Sequence, residues 1–332
     1  MSEVALLTRA LTTPETVLAL DAAQWTSLLT IAKAERLAGS LAIRLDGLPL
    51  PPEATRVLNA ARANAETGRT HALWEAEMAL RALAALGVPI VLLKGTAFVA
   101  AGLDAGRGRL IGDLDILVPR ANLDAVEAAL LTAGWEWVKP DPYDDAYYRQ
   151  WMHELPPLIH RDRDRMIDVH HTILPPTARP TPDAAALIAD SIALPDGLRI
   201  LCPADMVIHA VAHLLADGDL AGGLRNLWDI DRLVREFDSD DFRHALFQRS
   251  KLHGLAPDIR RALRLSKCLF DTPVLHDPPA FTDRFYLARL TGRDGWGRET
   301  RSLLRLAFYI RSHWLRMPPL LLARHLWTKW RK

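Results

Sequence analysis

The sequence is poor in most of what marks a specialised chain. Its 332 residues include two cysteines, Cys202 and Cys268, far apart and in no metal-ligand spacing. That excludes a disulfide framework and fits a reducing compartment. It has no surplus of either charge: 41 Lys and Arg stand against 40 Asp and Glu, a net +1. Dedicated nucleic-acid binders carry a basic excess, so no nucleic-acid partner is indicated. No run of 18 apolar residues occurs, and no membrane span is expected. The opening "MSEVALLTRALTTPETVLAL" places Glu3 where a secretory leader has basic residues, so no signal peptide is expected and a cytoplasmic location is. Internal repeats and low-complexity segments are missing too.

What is present is an ordinary globular composition, 49% hydrophobic and 24% charged, long enough for two domains or for one large domain with an appendage. Residues 1–86 show helical spacing of Ala and Leu, interrupted by the Pro-rich "LPLPPEAT" (48–55) and closed by Gly87 as a C-terminal cap. The pattern then changes. "VPIVLLKG" (88–95) reads as a buried strand, 96–105 as a short helix, "GRGR" (106–109) as a loop and "LIGDLDILV" (110–118) as a second strand. A helix over 121–134 closes on Gly134, "WEWV" (135–138) is a third strand, and "LPPLIH" and "MIDVHHTI" read as two strands around the charged turn "RDRDR". From about residue 182 the chain reads as helix again.

The second strand raises the chemical question. Asp113 and Asp115 lie two apart in an apolar run. Alternation along a strand puts them on one face and Leu114, Ile116 and Val118 on the other. Such a pair either lines a solvated strand face or meets a cation. Asp is disfavoured in strands, and carboxylates this close raise one another's pKa. A divalent cation relieves that, and Mg²⁺ is commonly held by one or two carboxylates plus substrate phosphates. Upstream, "LLKGTAF" ends a strand at Lys94. Gly95 would let a ligand approach the backbone, and Thr96 would offer a hydroxyl or a cap at a helix N-terminus suited to phosphate. Downstream, Asp168 in "MIDVHH" shares a strand face with His170, and a neighbouring strand would bring Asp168 against the pair. Three carboxylates and a phosphate turn are the parts of a two-metal nucleotidyl-transfer site.

Taken in order, "LLKGTAF", "RLIGDLDILV" and "MIDVHHTIL" resemble the polymerase-β-type nucleotidyltransferase superfamily. More narrowly they resemble a bacterial nucleotidyltransferase family that carries Leu-Lys-Gly, Asp-x-Asp and Asp-x-His motifs. "DMVIHAVAHLLADG" and "LRNLWDIDRLV" resemble that family's helical C-terminal half, and the likeness extends over about residues 1–240. It implies an α+β fold, with a small mixed β-sheet nucleotidyltransferase core (87–180) between N-terminal helices (1–86) and a helical C-terminal domain (181–300). It implies Asp113, Asp115 and Asp168 as catalytic metal ligands for Mg²⁺ or Mn²⁺. Lys94, Gly95, Thr96, Arg109 and His170 would contact the NTP phosphates. Where the superfamily usually shows Gly-Ser or Gly-Gly, this chain has Gly95-Thr96, which keeps the hydroxyl. The expected reaction moves an NMP from an NTP to an unidentified hydroxyl-type acceptor (small molecule, peptide or lipid-linked) and releases pyrophosphate. The alternative is a non-catalytic nucleotide sensor or scaffold with the same fold, and kinase-like or hydrolytic use of the site is a second enzymatic alternative.

Three features lie outside those motifs. His209 and His213, four apart on one helix face, have no evident third ligand and read as residues packing between domains or lining the nucleotide cleft rather than as a zinc pair. Arg225 and Asp229 read as an i,i+4 ion pair of small worth. The last 32 residues, 301–332, hold six Arg, two Lys and no acid, with Trp314, Trp327 and Trp330 among leucines and a break at Pro318-Pro319. That composition suits a helical pair docked on protein, or an interfacial segment lying peripherally at the inner membrane surface.

Overall fold

The computed structural model describes residues 3–273 and 277–316. The first third is helical: α1 (Val4–Thr12), α2 (Ala22–Ala34), α3 (Ala38–Arg44) and the long α4 (Pro52–Leu83). α2 opens on a capping box, in which the Asp21 carboxylate accepts from the Gln24 amide and the Gln24 side chain accepts from the Asp21 amide. The box satisfies two N–H groups that the helix cannot pair internally. α4 starts on Pro52, whose missing donor is harmless at that position. It runs into a short 3₁₀ turn, and Gly87 follows in the left-handed conformation at φ 61°, as expected of a C-terminal cap.

The middle of the chain builds one sheet. In chain order come β1 (Val91–Leu92), α5 (Lys94–Ala100), β2 (Asp113–Leu117), α6 (Leu123–Thr132), β3 (Trp135–Trp137), α7 (Pro142–Trp151), β4 (Leu158–His160), β5 (Met166–His170), α8 (Ala184–Ala189), β6 (Ile192–Ala193) and β7 (Arg199–Ile200). The sheet order is β3-β4-β5-β2-β1-β7-β6. β2 is parallel to β5 and β1 is parallel to β7, while the other pairs are antiparallel. The fold is therefore α+β with a mixed sheet. The helical remainder consists of α9 (Pro203–Val211), a π-helical turn over Ala212–Asp217, α10 (Gly223–Phe237), α11 (Asp240–Leu252), α12 (Ala256–Phe270), α13 (Asp283–Leu290) and α14 (Ser302–Arg316).

Several boundaries differ from the sequence expectation. The strand expected over 88–95 is reduced to Val91–Leu92, with one further pairing bond from the Leu93 amide to the Asp115 carbonyl at 3.0 Å. The chain then turns at Lys94 (φ 48°), which begins α5 instead of ending a strand. Thr96 thus sits inside the first helical turn and caps nothing: the N-cap residue is Leu93, with no side-chain cap. α7 occupies a stretch for which the sequence predicts no element. The β6–β7 hairpin interrupts the region that reads as helix; it turns on Gly197 (φ 92°), where the Leu194 amide donates to the Leu198 carbonyl at 2.7 Å.

One apolar cluster runs from Val4 through the sheet residues Val91, Leu114, Ile116, Ile167 and Val169 to Phe308. Sheet and helices therefore pack as one body of buried side chains. α14 buries Phe308 and Ser312 and leaves Leu303, Leu306, Ile310 and Trp314 exposed. The rest of the Trp-rich segment, residues 317–332 with Trp327, Trp330 and the Pro318-Pro319 break, lies outside the described residues. Among the described residues no helix is long and apolar enough to cross a membrane.

A backbone contact decides where the loop before β2 can lie. A Cβ on Gly39 of α3 would fall 2.3 Å from the Gly108 carbonyl oxygen, and one on Gly108 (φ 67°) would fall 2.4 Å from that of Gly39. Two glycines let α3 and the 106–109 loop touch main chain to main chain. Gly39→Ala is expected to lower unfolding stability by about 1–3 kcal/mol, the usual cost of overpacking where backbone must move. Urea unfolding of the variant against the parent measures it.

Candidate active site

The parallel pairing of β2 with β5 sets Asp115 directly beside Asp168, with Asp113 beside Met166 and Leu117 beside His170. Neighbours in register on adjacent strands point to the same face. The two carboxylates expected to meet across strands thus do meet, more than fifty residues apart in sequence. Asp113, at the start of β2, is exposed; Asp115 is buried and Asp168 is half-buried.

A further carboxylate joins them. Residues 153–155 run along β5 beyond the end of β4: the His171 amide donates to the His153 carbonyl and the Leu155 amide to the Val169 carbonyl, each at 2.9 Å. That places Glu154 opposite His170 in an antiparallel bridge, on the carboxylate face. The Glu154 carboxylate lies 3.5 Å from His170 Nε2. Sequence reading misses Glu154 and His153 because one bridge before Pro156-Pro157 leaves no alternating pattern.

Positive charge is supplied at short range. Lys94 Nζ donates to Asp115 Oδ1 at 2.6 Å, and His170 Nε2 donates to the same oxygen at 3.1 Å. Burial alone would raise the Asp115 pKa; Lys94 and His170 reverse this and hold it well below the usual carboxylate range. Lys94 is half-buried; desolvation would lower its pKa, yet it is raised because Asp115, Asp113 and Glu154 surround it. At Asp168 His170 and Lys94 act in the same sense but are outweighed. Burial, then the charges of Asp115 and Glu154, push its carboxyl up to about 7. Two carboxylates side by side with opposite shifts are how a site separates a charged ligand from a proton acceptor.

Gly95 acts through Arg109. A Cβ at Gly95 would lie 2.2 Å from an Arg109 guanidinium nitrogen, so glycine is what lets that side chain rest against the first turn of α5. Arg109 Nε donates to Asp229 at 3.0 Å. Arg225 donates to the other Asp229 oxygen at 2.6 Å and also to Ser40 Oγ (2.6 Å) and the Ala105 carbonyl (3.1 Å). The Arg225–Asp229 pair is therefore no minor surface pair; both residues are buried, and losing one partner would strand a charge. Asp231 plays another part, bonded to Arg232, Arg235 and Thr272. Thr96 is buried and its hydroxyl has no hydrogen-bond partner.

His209 and His213 line a small pocket with Lys94, Phe98, Arg109, Asn226 and Asp229. Burial and then Lys94 hold both imidazoles neutral, His209 well below its usual value and His213 down to about 3. They fall at the cleft, and the donor cluster suited to a metal through imidazole lies elsewhere, at His153, Glu154 and His170. His170 Nε2 faces Asp115 and Glu154 rather than that pocket.

The oxygen donors of Asp113, Asp115, Asp168 and Glu154 fit a hard divalent cation. The elevated Asp168 pKa is the mark of carboxylate charge that Lys94 does not neutralise.

A family model described as "Uncharacterised nucleotidyltransferase" matches residues 21–271. No curated protein matches the chain.

The raised Asp168 pKa has a consequence for stability. Between the unfolded value of 3.8 and about 7 the folded state keeps a proton that the unfolded chain has released. Stability therefore falls as pH rises through that window. In the presence of chelator, Asp168→Asn is expected to be more stable than the parent at pH 8 by roughly 1–3 kcal/mol, since a tenfold change in proton affinity is worth about 1.4 kcal/mol. The difference should vanish near pH 4. Urea unfolding across pH checks this, and parallel pH profiles for the two proteins would refute it.

Proposed function

The chain belongs to this nucleotidyltransferase family, and from that premise we propose that it transfers an NMP from an NTP to a hydroxyl-type acceptor and releases pyrophosphate, by a mechanism of the polymerase-β type. The observation that carries this reading is the in-register pair Asp115–Asp168, with Asp113 two residues upstream and the Lys94-Gly95-Thr96 turn beside it.

In this reading Asp113, Asp115 and Asp168 hold Mg²⁺ or Mn²⁺, with Glu154 as an added oxygen donor. Bound there, the cations would neutralise the phosphate oxygens and clamp the attacking and leaving oxygens of an in-line displacement. The acceptor oxygen bonds to the α-phosphorus, the bond from that phosphorus to the bridging β-phosphate oxygen breaks, and pyrophosphate leaves with the electron pair. The acceptor's proton passes to the Asp168 carboxylate.

The phosphates are met by the first turn of α5. Its amides are free of helical partners and carry the positive end of the helix dipole, and Arg109 and Lys94 flank it. The unpartnered Thr96 hydroxyl is available to the same anion. His170 serves by fixing Asp115, its nearest carboxylate. The acceptor's identity and any peripheral contact of 301–332 with protein or an inner membrane surface belong to the same proposal. α14's exposed Leu303, Leu306, Ile310 and Trp314 are the described part of that segment.

Transfer of label from each NTP, followed by mass spectrometry of the acceptor, tests the reaction. Asp113→Asn, at an exposed position, and the double variant with Asp115→Asn are expected to lower transfer by roughly a hundredfold or more, the scale on which groups acting in the transition state contribute. Unchanged turnover in the double variant sinks the assignment. Calorimetric binding of NTP with Mg²⁺ but no pyrophosphate release would favour a nucleotide sensor, and a transferred terminal phosphate would favour kinase-like chemistry.

Gly95→Ala tests the turn separately. It should displace Arg109 and raise the KM for NTP by about tenfold, as expected for loss of one charge-assisted contact of about 1.4 kcal/mol, with circular dichroism unchanged.

A further inference from the structure

We propose that His153, Glu154 and His170 form a distinct metal position, built for a transition-metal ion of the Zn²⁺ or Co²⁺ class rather than for Mg²⁺. One donor atom from each residue lies within 4.8 Å of the other two. His170 Nε2 is 3.5 Å and His153 Nε2 3.7 Å from the same Glu154 oxygen, Oε2. The two rings stand 5.2 Å apart, tilted by 32°. Three donors converge on a gap too wide for good hydrogen bonds and of the size that one ion fills.

Two further observations point the same way. Both imidazoles are buried with Nε2 toward Glu154, and the Nδ1 of each has no hydrogen-bond partner that would fix the ring's tautomer, so each Nε2 is free to offer its lone pair to an ion with the proton on Nδ1. Both rings are also held to this place from the backbone. His153 and Glu154 ride on the strand-like stretch bonded to His171 and Val169, and His170 ends β5. A cluster fixed by main-chain bonds needs little rearrangement to bind.

The donor set chooses the ion. Mg²⁺ demands oxygen ligands in octahedral array, whereas imidazole nitrogen suits zinc and its neighbours. Two imidazoles and one glutamate leave an open coordination position, the arrangement found at catalytic rather than structural zinc. The position adjoins the Asp113, Asp115 and Asp168 set, with Glu154 between the two and His170 also touching Asp115, and it differs from that set in its nitrogen donors. It does not rest on nucleotidyl transfer being correct.

The test uses the full chain, stripped by chelator and titrated with Co²⁺ in millimolar Mg²⁺. The expected result is a visible absorption band of a nitrogen-ligated cobalt site that saturates at one equivalent, is displaced by Zn²⁺ and survives the Mg²⁺. Asp113→Asn should retain the band. His153→Gln and the near-isosteric Glu154→Gln should each weaken binding about tenfold or more, as loss of a ligand or of its support does. X-ray absorption on the parent protein counts its imidazole ligands without any variant, and two are expected. A site with no imidazole shell, a band removed by Mg²⁺, or cobalt binding that His153→Gln leaves intact overturns the proposal. None of these readouts involves turnover, so a failure of the transfer reaction leaves the result standing.

Discussion

The site depends on crowding negative charge at a buried strand junction. Asp115 and Asp168 lie side by side, Asp113 is next along β2, and Glu154 enters from the far edge of β5. At about 4 Å, two like charges repel by roughly 4 kcal/mol at the effective dielectric of a protein surface. Lys94 answers part of that. It is placed by an unusual backbone: a non-glycine residue at φ 48°, in the first position of α5. Residues held in sparsely populated conformations cost about 1–3 kcal/mol each and persist where the surrounding structure fixes them. Here the strained residue carries the ammonium group that pairs with Asp115. A divalent cation would seek the same Asp115 oxygen, so Lys94 and the cation compete for one partner.

The surrounding structure that holds Lys94 is assembled from distant parts of the chain. Gly39 and Gly108 let α3 meet the loop before β2, and Gly95 lets Arg109 rest on α5. Arg109 is fixed by Asp229 of α10, which is fixed in turn by Arg225, and Arg225 reaches Ser40 of α3. This chain of buried charge-assisted bonds ties the N-terminal helices, the Lys94-Gly95-Thr96 turn and the C-terminal helices together. Each link is desolvated, so removing one member leaves its partner as an uncompensated buried charge. The three glycines are the steric condition for the arrangement, since any side chain at those points occupies space that backbone or guanidinium now fills.

What is legible in the sequence follows from the same physics. Asp113, Asp115 and Asp168 can be read because alternation in an apolar run assigns faces, and parallel pairing of two such strands can bring their carboxylates together. Gly87 and Gly134 can be read because both adopt positive φ at helix ends. The β6–β7 hairpin cannot, since strands of two residues carry no period, and α7 with its polar "PYDDAYYRQW" gives little helical signature. Glu154 and His153 escape for a related reason: a single bridge places them, and no local pattern announces it. Thr96 suggests a cap by its residue type alone, but the helix begins two residues earlier because Lys94 takes the left-handed turn. The Arg225–Asp229 spacing is visible, but its burial is not, because burial is set by Ser40 and Ala105 far away in sequence.

The direction of each carboxylate's shift separates structure from chemistry. Asp205 lies under Arg249 and His253, and Asp283 under Arg264 and Arg261; their pKa values are lowered, because hydrogen bonds and cations outweigh burial. Those groups add to stability at neutral pH. Asp168 is the opposite case: burial and the charges of Asp115 and Glu154 outweigh His170 and Lys94, so its charge costs stability at the pH where the others contribute. Three neutral imidazoles, His153, His209 and His213, surround the Lys94 region and supply polar surface without adding charge that would compete with Lys94. A fold selected only for rigidity would gain by replacing Asp168 with a neutral residue. A weakly compensated carboxylate beside a fully compensated one is the arrangement that the proposed cation binding and proton transfer would use.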